Sequence, residues 1–175
     1  TKPFEIHVDD GVFEGFIKTN PISGDLKFSN VTTELLSLID PDYSEIIKGN
    51  IFGEISMREG LTQNEINLNI NLKDGEVANQ PFSEFEIIAD FSEGILDLRN
   101  IEMTNGINTG FNIKGIYPLT IDSSGSVEVD LQSNFKNINM KFFTQFSDRF
   151  NNDLFGELSG QFLMKGTSKK TIFEL

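Results

Sequence analysis

The groups in this chain that could do chemistry are few. His7 is the only histidine, and cysteine is absent. That leaves no histidine cluster, no Ser–His–Asp constellation, no thiol chemistry and no Cys-based metal site. His7 lies beside Val8 in an alternating run and reads as a surface residue. Asp9-Asp10-Gly11 and Asp122-Ser123-Ser124-Gly125 carry oxygens that could bind Ca²⁺, but both read more simply as turns. Glu84 and Glu86 have the types of a glycosidase pair, yet at that spacing they share one strand face and read as a solvated edge. "GELSG" has one residue too many between Gly156 and Ser159 to be a nucleophile elbow, and no glycine-rich loop ends in Lys-Ser/Thr. Asn30-Val31-Thr32 is a formal glycosylation sequon and says little more. The expectation is a protein that is not an enzyme and uses neither metal nor cofactor.

What remains to be positioned is apolar surface. The 175 residues suit one large domain or two units sharing a core. Twenty-seven acidic against 14 basic residues give −13, with the acids scattered and no basic run. Nucleic-acid binding needs clustered cations to displace counterions, so it is disfavoured, and a solvated exterior is the simple reading. The 17 phenylalanines and absent tryptophan mark where the apolar bulk lies. No run approaches the ~20 apolar residues of a membrane-spanning helix. Absence of cysteine fits cytoplasm or periplasm. The chain begins and ends inside strand-like sequence ("TIFEL" closes it) and carries no signal peptide, which suggests a piece of a longer protein.

Period-two alternation dominates, the mark of strands with one apolar and one wet face. In "EINLNINLK", Ile66, Leu68, Ile70 and Leu72 point one way, and Asn67, Asn69, Asn71 and Lys73 the other. The rhythm recurs at Phe4, Ile6 and Val8, at Phe85, Ile87, Ala89 and Phe91, and at Leu96 and Leu98. It continues through Ile101 and Met103, Phe111 and Ile113, and Val127, Val129 and Leu131. Turn signals separate the runs: Asp10-Gly11, Asp74-Gly75, Glu93-Gly94, Asn105-Gly106 and Ser124-Gly125. Ten to twelve short strands in an antiparallel meander are expected. Two places break the rhythm. Thr33 could cap a short helix carrying Leu35, Leu36 and Ile39 and ended by Pro41; Phe142, Phe143, Phe146 and Phe150 share its spacing.

The two helical stretches lie 107 residues apart, and so do two glycine-punctuated strands. Gly49-x-Ile51-x-Gly53-x-Ile55-x-Met57 answers Gly156-x-Leu158-x-Gly160-x-Phe162-x-Met164. Aligned without gaps, 28–57 and 135–164 keep five identities: Phe28/Phe135, Asn30/Asn137, Gly49/Gly156, Gly53/Gly160 and Met57/Met164. This reads as an internal repeat within one continuous domain spanning 1–175.

"GDLKFSNVTTELLSLIDPDYSEIIKGNIFGEISMREG" resembles the unit of AsmA-like and TamB-type proteins: strand, short apolar helical stretch, loop, then a G-x-hydrophobic-x-G-x-hydrophobic strand. "FSEFEIIADFSEGILDLRNIEM" resembles the hairpin that follows there, a strand carrying Gly115 comes next, and "GELSGQFLMKG" restarts the phrase. The likeness covers nearly all of 24–166. It departs from the family at Thr167-Ser168-Lys169-Lys170, where a proline is common. The resemblance implies a long β-sheet curled into a gutter, a β-taco, with an apolar groove and a polar exterior. It implies an envelope protein anchored in the inner membrane and reaching through the periplasm. The implied task is movement of phospholipid toward the outer membrane and, for the TamB type, assembly of outer-membrane β-barrel proteins.

The residues themselves also call for a curl or a cover, because ten strands with one apolar face exceed what two short helices can hide. The fold class expected is all-β with one or two short helices and a curled, mostly antiparallel sheet forming an open groove. Candidate groove residues are Ile51, Ile55, Met57, Ile66, Leu68, Ile70, Leu72, Phe85, Ile87, Phe91, Leu96, Leu98, Phe111, Ile113, Val127, Val129, Leu131, Leu158, Phe162 and Met164. Glycines 53, 110, 115 and 160 would permit bending, make room in the lumen, or mark a corner packed on an opposite strand. The partner expected is a phospholipid or another acyl-chain lipid, with an outer-membrane β-barrel protein as a further one. A different class of reading is a structural or adhesin module, a β-sandwich or β-solenoid with a dry core. An edge that templates incoming strands and a carbohydrate-active scaffold are weaker readings still.

Overall fold

The computed structural model describes residues 3–34, 46–60, 64–119, 128–144, 155–167 and 170–174. Eleven strands follow one another: β1 (Pro3–Val8), β2 (Gly11–Thr19), β3 (Ile22–Thr32), β4 (Ile47–Glu59), β5 (Asn64–Val77) and β6 (Gln80–Ser92), then β7 (Ile95–Asn105), β8 (Thr109–Pro118), β9 (Glu128–Asn139), β10 (Glu157–Thr167) and β11 (Lys170–Glu174). A single helical turn, α1 (Lys141–Thr144), follows β9. The strands form one sheet in the order of the chain, and each pair is antiparallel. β1 and β11 do not meet, so the sheet is open. The protein is therefore all-β, as the alternation predicts, and the described residues supply neither a sandwich's second sheet nor a solenoid's parallel rungs.

Register lines the apolar residues up across the strands. One row runs Val31–Ile51–Leu72–Phe85–Met103–Phe111–Phe135. A second runs Phe13–Phe28–Gly53–Ile70–Ile87–Ile101–Ile113–Ser133–Phe162. A third runs Leu26–Ile55–Leu68–Ala89–Leu98–Gly115–Leu131–Met164, and a fourth Met57–Ile66–Phe91–Leu96–Tyr117. Successive rows are two residues apart along each strand, roughly 7 Å.

Bulges keep the rows on one face. Leu98 and Ile101 have opposite parity, but β7 carries an extra residue between them opposite Gly115 and Ile113 of β8. The extra residue turns the odd-numbered Ile101 and Met103 to the face of the even-numbered Leu96 and Leu98. The same device acts in β3, between Phe28 and Val31, and in β9, between Phe135 and Ile138. Asp74-Gly75 is another case and corrects the expected turn there. β5 runs on to Val77, and the hairpin is closed by Ala78 and Asn79, both at positive φ as a primed two-residue turn requires. Asp74, itself at φ 49°, lies in the bulge that returns Val77 to the face of Leu72.

The sheet is concave toward its apolar face. Phe85 and Phe111, separated by β7, bring their rings within 6.1 Å over Met103, which has no exposed surface. Their strands, two apart, stand roughly 10 Å from each other at the backbone, so the rings lean together across β7. The Gln80 side chain at the start of β6 accepts a hydrogen bond from the backbone N–H of Asn139 at the end of β9, 3.4 Å away. The tip of the β5–β6 hairpin thus folds across the shorter β7–β8 hairpin.

Of the two expected helices, α1 carries Phe142 and Phe143; Phe146 and Phe150 lie outside the described residues. In the first stretch Leu35, Leu36, Ile39 and Pro41 also lie outside them. Thr33, read as a cap, is buried and its hydroxyl accepts from the Gly49 N–H at 3.0 Å. The positions 107 residues on are joined as well, the Met140 N–H donating to the Gly156 carbonyl at 3.0 Å. The register repeats at the same offset. Phe28 faces Gly53 as Phe135 faces Gly160; Val31 faces Ile51 as Ile138 faces Leu158; Ser56 faces Asn67 as Leu163 faces Glu174.

Candidate functional site

The register puts every candidate groove residue on the one apolar face, except Val127, which lies outside the described residues. They do not share one environment. In the first row Ile51, Leu72, Phe85 and Phe111 are buried, together with Val31 and Met103. Ile70 in the second row and Val129 near the far ends of the strands are buried too. Ile55, Met57, Ile66, Leu68, Ile87, Phe91, Leu96, Leu98, Ile113, Leu131, Leu158, Phe162 and Met164 are only half-buried. The apolar face is therefore dry at one end of the strands and, Ala89 and Val129 apart, only partly covered at the other.

The dry end has identifiable covers. Val77, Ala78 and Phe82 of the β5–β6 tip join the core, as do Ile138 and Phe142. Phe142 packs 5.4 Å from Phe111, and Phe143 5.6 Å from Phe135. In the third row Ile55 and Leu68 pack against the margin of this core and stay only partly buried. None of the four rows contains a charged side chain. Their hydroxyls are those of Ser133, which donates to the Phe162 carbonyl at 3.4 Å, and of Tyr117 at the end of the fourth row. A face of this kind offers dispersion contact and exclusion from water, and almost no directed bond.

Several residues of this surface escape a reading of alternation alone. Met103 and Ile101 change parity at the β7 bulge; Val31 and Ile138 do so in β3 and β9. The signal that could have found the last two is the Phe-x-Asn shared by Phe28–Asn30 and Phe135–Asn137. Asparagine tolerates the left-handed conformation that such a bulge needs, and both residues adopt it.

The opposite face is wet and cross-linked by hydrogen bonds. Asn71 donates to Glu84 at 2.8 Å, Asn100 to Glu86 at 2.7 Å and Asn112 to Asn100 at 2.6 Å. Asn67 donates to Asp90, which also pairs with Arg99. Glu84 and Glu86 sit on β6 in the middle of the sheet, so they are not the edge residues expected; their partners are asparagines. His7 is exposed and bonded to Glu5 at 2.6 Å. Asp9 occupies the β1–β2 turn at φ 53°, while Asp122–Gly125 lies outside the described residues. The described residues hold no group of three or more metal-ligating side chains.

The larger depressions avoid the apolar rows or touch only their ends. One, of about 510 Å³, lies along β1–β3 between Phe4, Glu14, Phe16 and Lys27. Another, of about 550 Å³, is lined by Thr32, Thr33, Lys48, Asn50 and Asp74. Both are broad and mixed in polarity, without the convergent groups of a catalytic site. No protein-family model, no curated protein and no solved structure matches this chain.

Proposed function

We propose that this chain is a lipid-holding segment of an envelope protein of the AsmA-like and TamB type, in which the apolar face shelters phospholipid acyl chains while headgroups stay in water. One observation carries the reading. Apart from buried Ala89, the third and fourth rows form a strip of only partly buried Leu, Ile, Met and Phe that crosses most of the sheet and contains no charge. A continuous apolar strip left incompletely covered is the kind of surface that takes an apolar partner. An acyl chain asks for nothing beyond such a surface, and each methylene it buries gains about 0.8 kcal/mol. The third row crosses β3 to β10, which at ~4.8 Å between strands is roughly 35 Å of groove and suits a segment of an inter-membrane bridge. On this reading the chain works in the periplasm as part of an inner-membrane-anchored protein. Its partner is phospholipid, and an outer-membrane β-barrel protein is a further partner by resemblance.

The dry-core alternative draws on the first row, where Met103 is fully buried and Phe85 and Phe111 are nearly so. A photo-crosslinker at Leu68, with Asn69 across the sheet as control, separates the two after expression in a bacterial envelope. Capture of phospholipid at Leu68 and not at Asn69 supports the groove. Capture at Leu68 of nothing but its own chain replaces it with a structural module.

A further inference from the structure

Aromatic rings fill part of the dry end of the apolar face, above β8 and β9. Phe142 and Phe143 stand 5.3 Å apart, edge to face, and rest on Phe111 and Phe135. Phe111 in turn meets Phe85 and Phe135 at 6.1 Å. Phe142 and Phe143 thus lie over the β8–β9 part of the first row, where an apolar ligand following the groove would otherwise lie. Phe142 is 7% exposed, so the ring is lodged among its neighbours. Their ring contacts with Phe111 and Phe135 are of the sort an acyl chain could replace.

We propose that Phe142 and Phe143 are a stopper within the groove: they take the place of an acyl chain along the first row and confine bound chains to the third and fourth rows. This rests on the lipid reading above and adds to it a polarity across the strands. Chains would lie against Met57, Ile66, Phe91 and Leu131, and would be excluded from Phe135 and Phe111. The stopper would limit how many chains lie abreast, without forming any gate along the groove's length.

The test uses two positions that already carry a phenylalanine. Phe91 in the fourth row and Phe135 in the first are replaced singly by p-benzoylphenylalanine in the full chain. Each protein is illuminated with phosphatidylethanolamine vesicles containing a radiolabelled acyl chain. The expected result is about tenfold more label at position 91 than at 135, a difference well inside what one buried ring can set. Adding F142A and F143A should raise capture at 135 to the level at 91, whereas F142L and F143L should leave it low. Equal capture at both positions without those substitutions overturns the stopper and leaves the lipid reading standing. So does unchanged capture at 135 after F142A and F143A in a chain whose far-UV circular dichroism is intact. Capture at neither position overturns the lipid reading itself, and the stopper with it. The comparison of 91 with 135 needs no alanine variant, so a failure of F142A/F143A to fold does not spare the proposal.

Discussion

Asn30 and Asn137, 107 residues apart, hold the same backbone conformation at the same step of the same bulge. Their φ angles are 55° and 50°, and each stands between a phenylalanine that faces a glycine and an aliphatic residue that faces Ile51 or Leu158. The left-handed region costs a residue with a Cβ about 1–2 kcal/mol, least for asparagine and most for a β-branched side chain. What this secures is parity: Phe28 with Val31, and Phe135 with Ile138, come to one face although they are three apart. Repetition of the residue therefore accompanies repetition of a geometric function.

Valine at either position should destabilise the fold. N30V is expected to lose about 1–2 kcal/mol in urea unfolding, since its Cβ branch cannot relax at positive φ. N137V should lose more, because the Asn137 side chain also donates to the Asn108 carbonyl at 3.0 Å and accepts from Ser159 at 3.0 Å. Glycine at position 30 should stay within a few tenths of a kcal/mol of the parent. An N30V protein as stable as the parent would show that the bulge tolerates another conformation.

How far the molecule is legible from its sequence depends on the range over which each signal acts. Alternation from Ile66 to Leu72 assigns faces because each side chain reports only on its neighbours two away. The all-β class and the sequential pairing follow from many such runs joined by short turns. Parity across a bulge is not carried by alternation, so Met103, the most buried large side chain, drops out of a face defined by Leu96 and Leu98. Asp74-Gly75 has turn composition but bulge geometry, since both structures call for the same backbone freedom. The closing of one end, with Gln80 reaching Asn139 and Phe142 lying on Phe111, joins segments far apart in the chain and leaves no local trace.

Glycine should prove indispensable at two positions and dispensable at a third. Gly53 and Gly115 both sit at φ 130°, and a Cβ there would collide with the Asn69 and Asp130 carbonyls of the neighbouring strands. A Cβ on Gly160, the counterpart of Gly53 in the second phrase, would meet nothing within 4 Å. G53A and G115A should each cost about 3 kcal/mol or prevent folding, while G160A should fall within about 0.5 kcal/mol of the parent. Thermal unfolding followed by circular dichroism measures this. Equal losses at 53 and 160 would mean that the shared phrase, and not the close approach, sets the requirement.

Two methionines gauge the difference between the dry and open parts of the apolar face. Met103 is fully buried beside Phe85 and Phe111, whereas Met57 in the fourth row is only partly buried. M103A should lose about 2–5 kcal/mol, since the surrounding rings collapse only in part onto the cavity. M57A should lose under about 1 kcal/mol, because its site already borders water. Denaturant titration of both variants decides it, and a large loss for M57A would indicate a cover over the fourth row.

The lipid reading makes its own demand on the open strip. Ile66 is half-buried between Met57 and Phe91, so a lysine there can reach water with its ammonium and keep the fold, while it places a cation in the path of an acyl chain. Asn67, the next residue, points to the wet face, where it donates to Asp90 and is bonded to Ser56. I66K purified from a bacterial envelope should carry at least about tenfold less phospholipid by mass spectrometry than the parent. N67K should carry as much as the parent, with a stability change within about 1 kcal/mol for an exposed polar site. If I66K and N67K retain lipid equally, the bound lipid does not lie on the fourth row. If the parent carries none, the strip is not an acyl-chain surface, and the half-exposed row needs a protein segment to cover it.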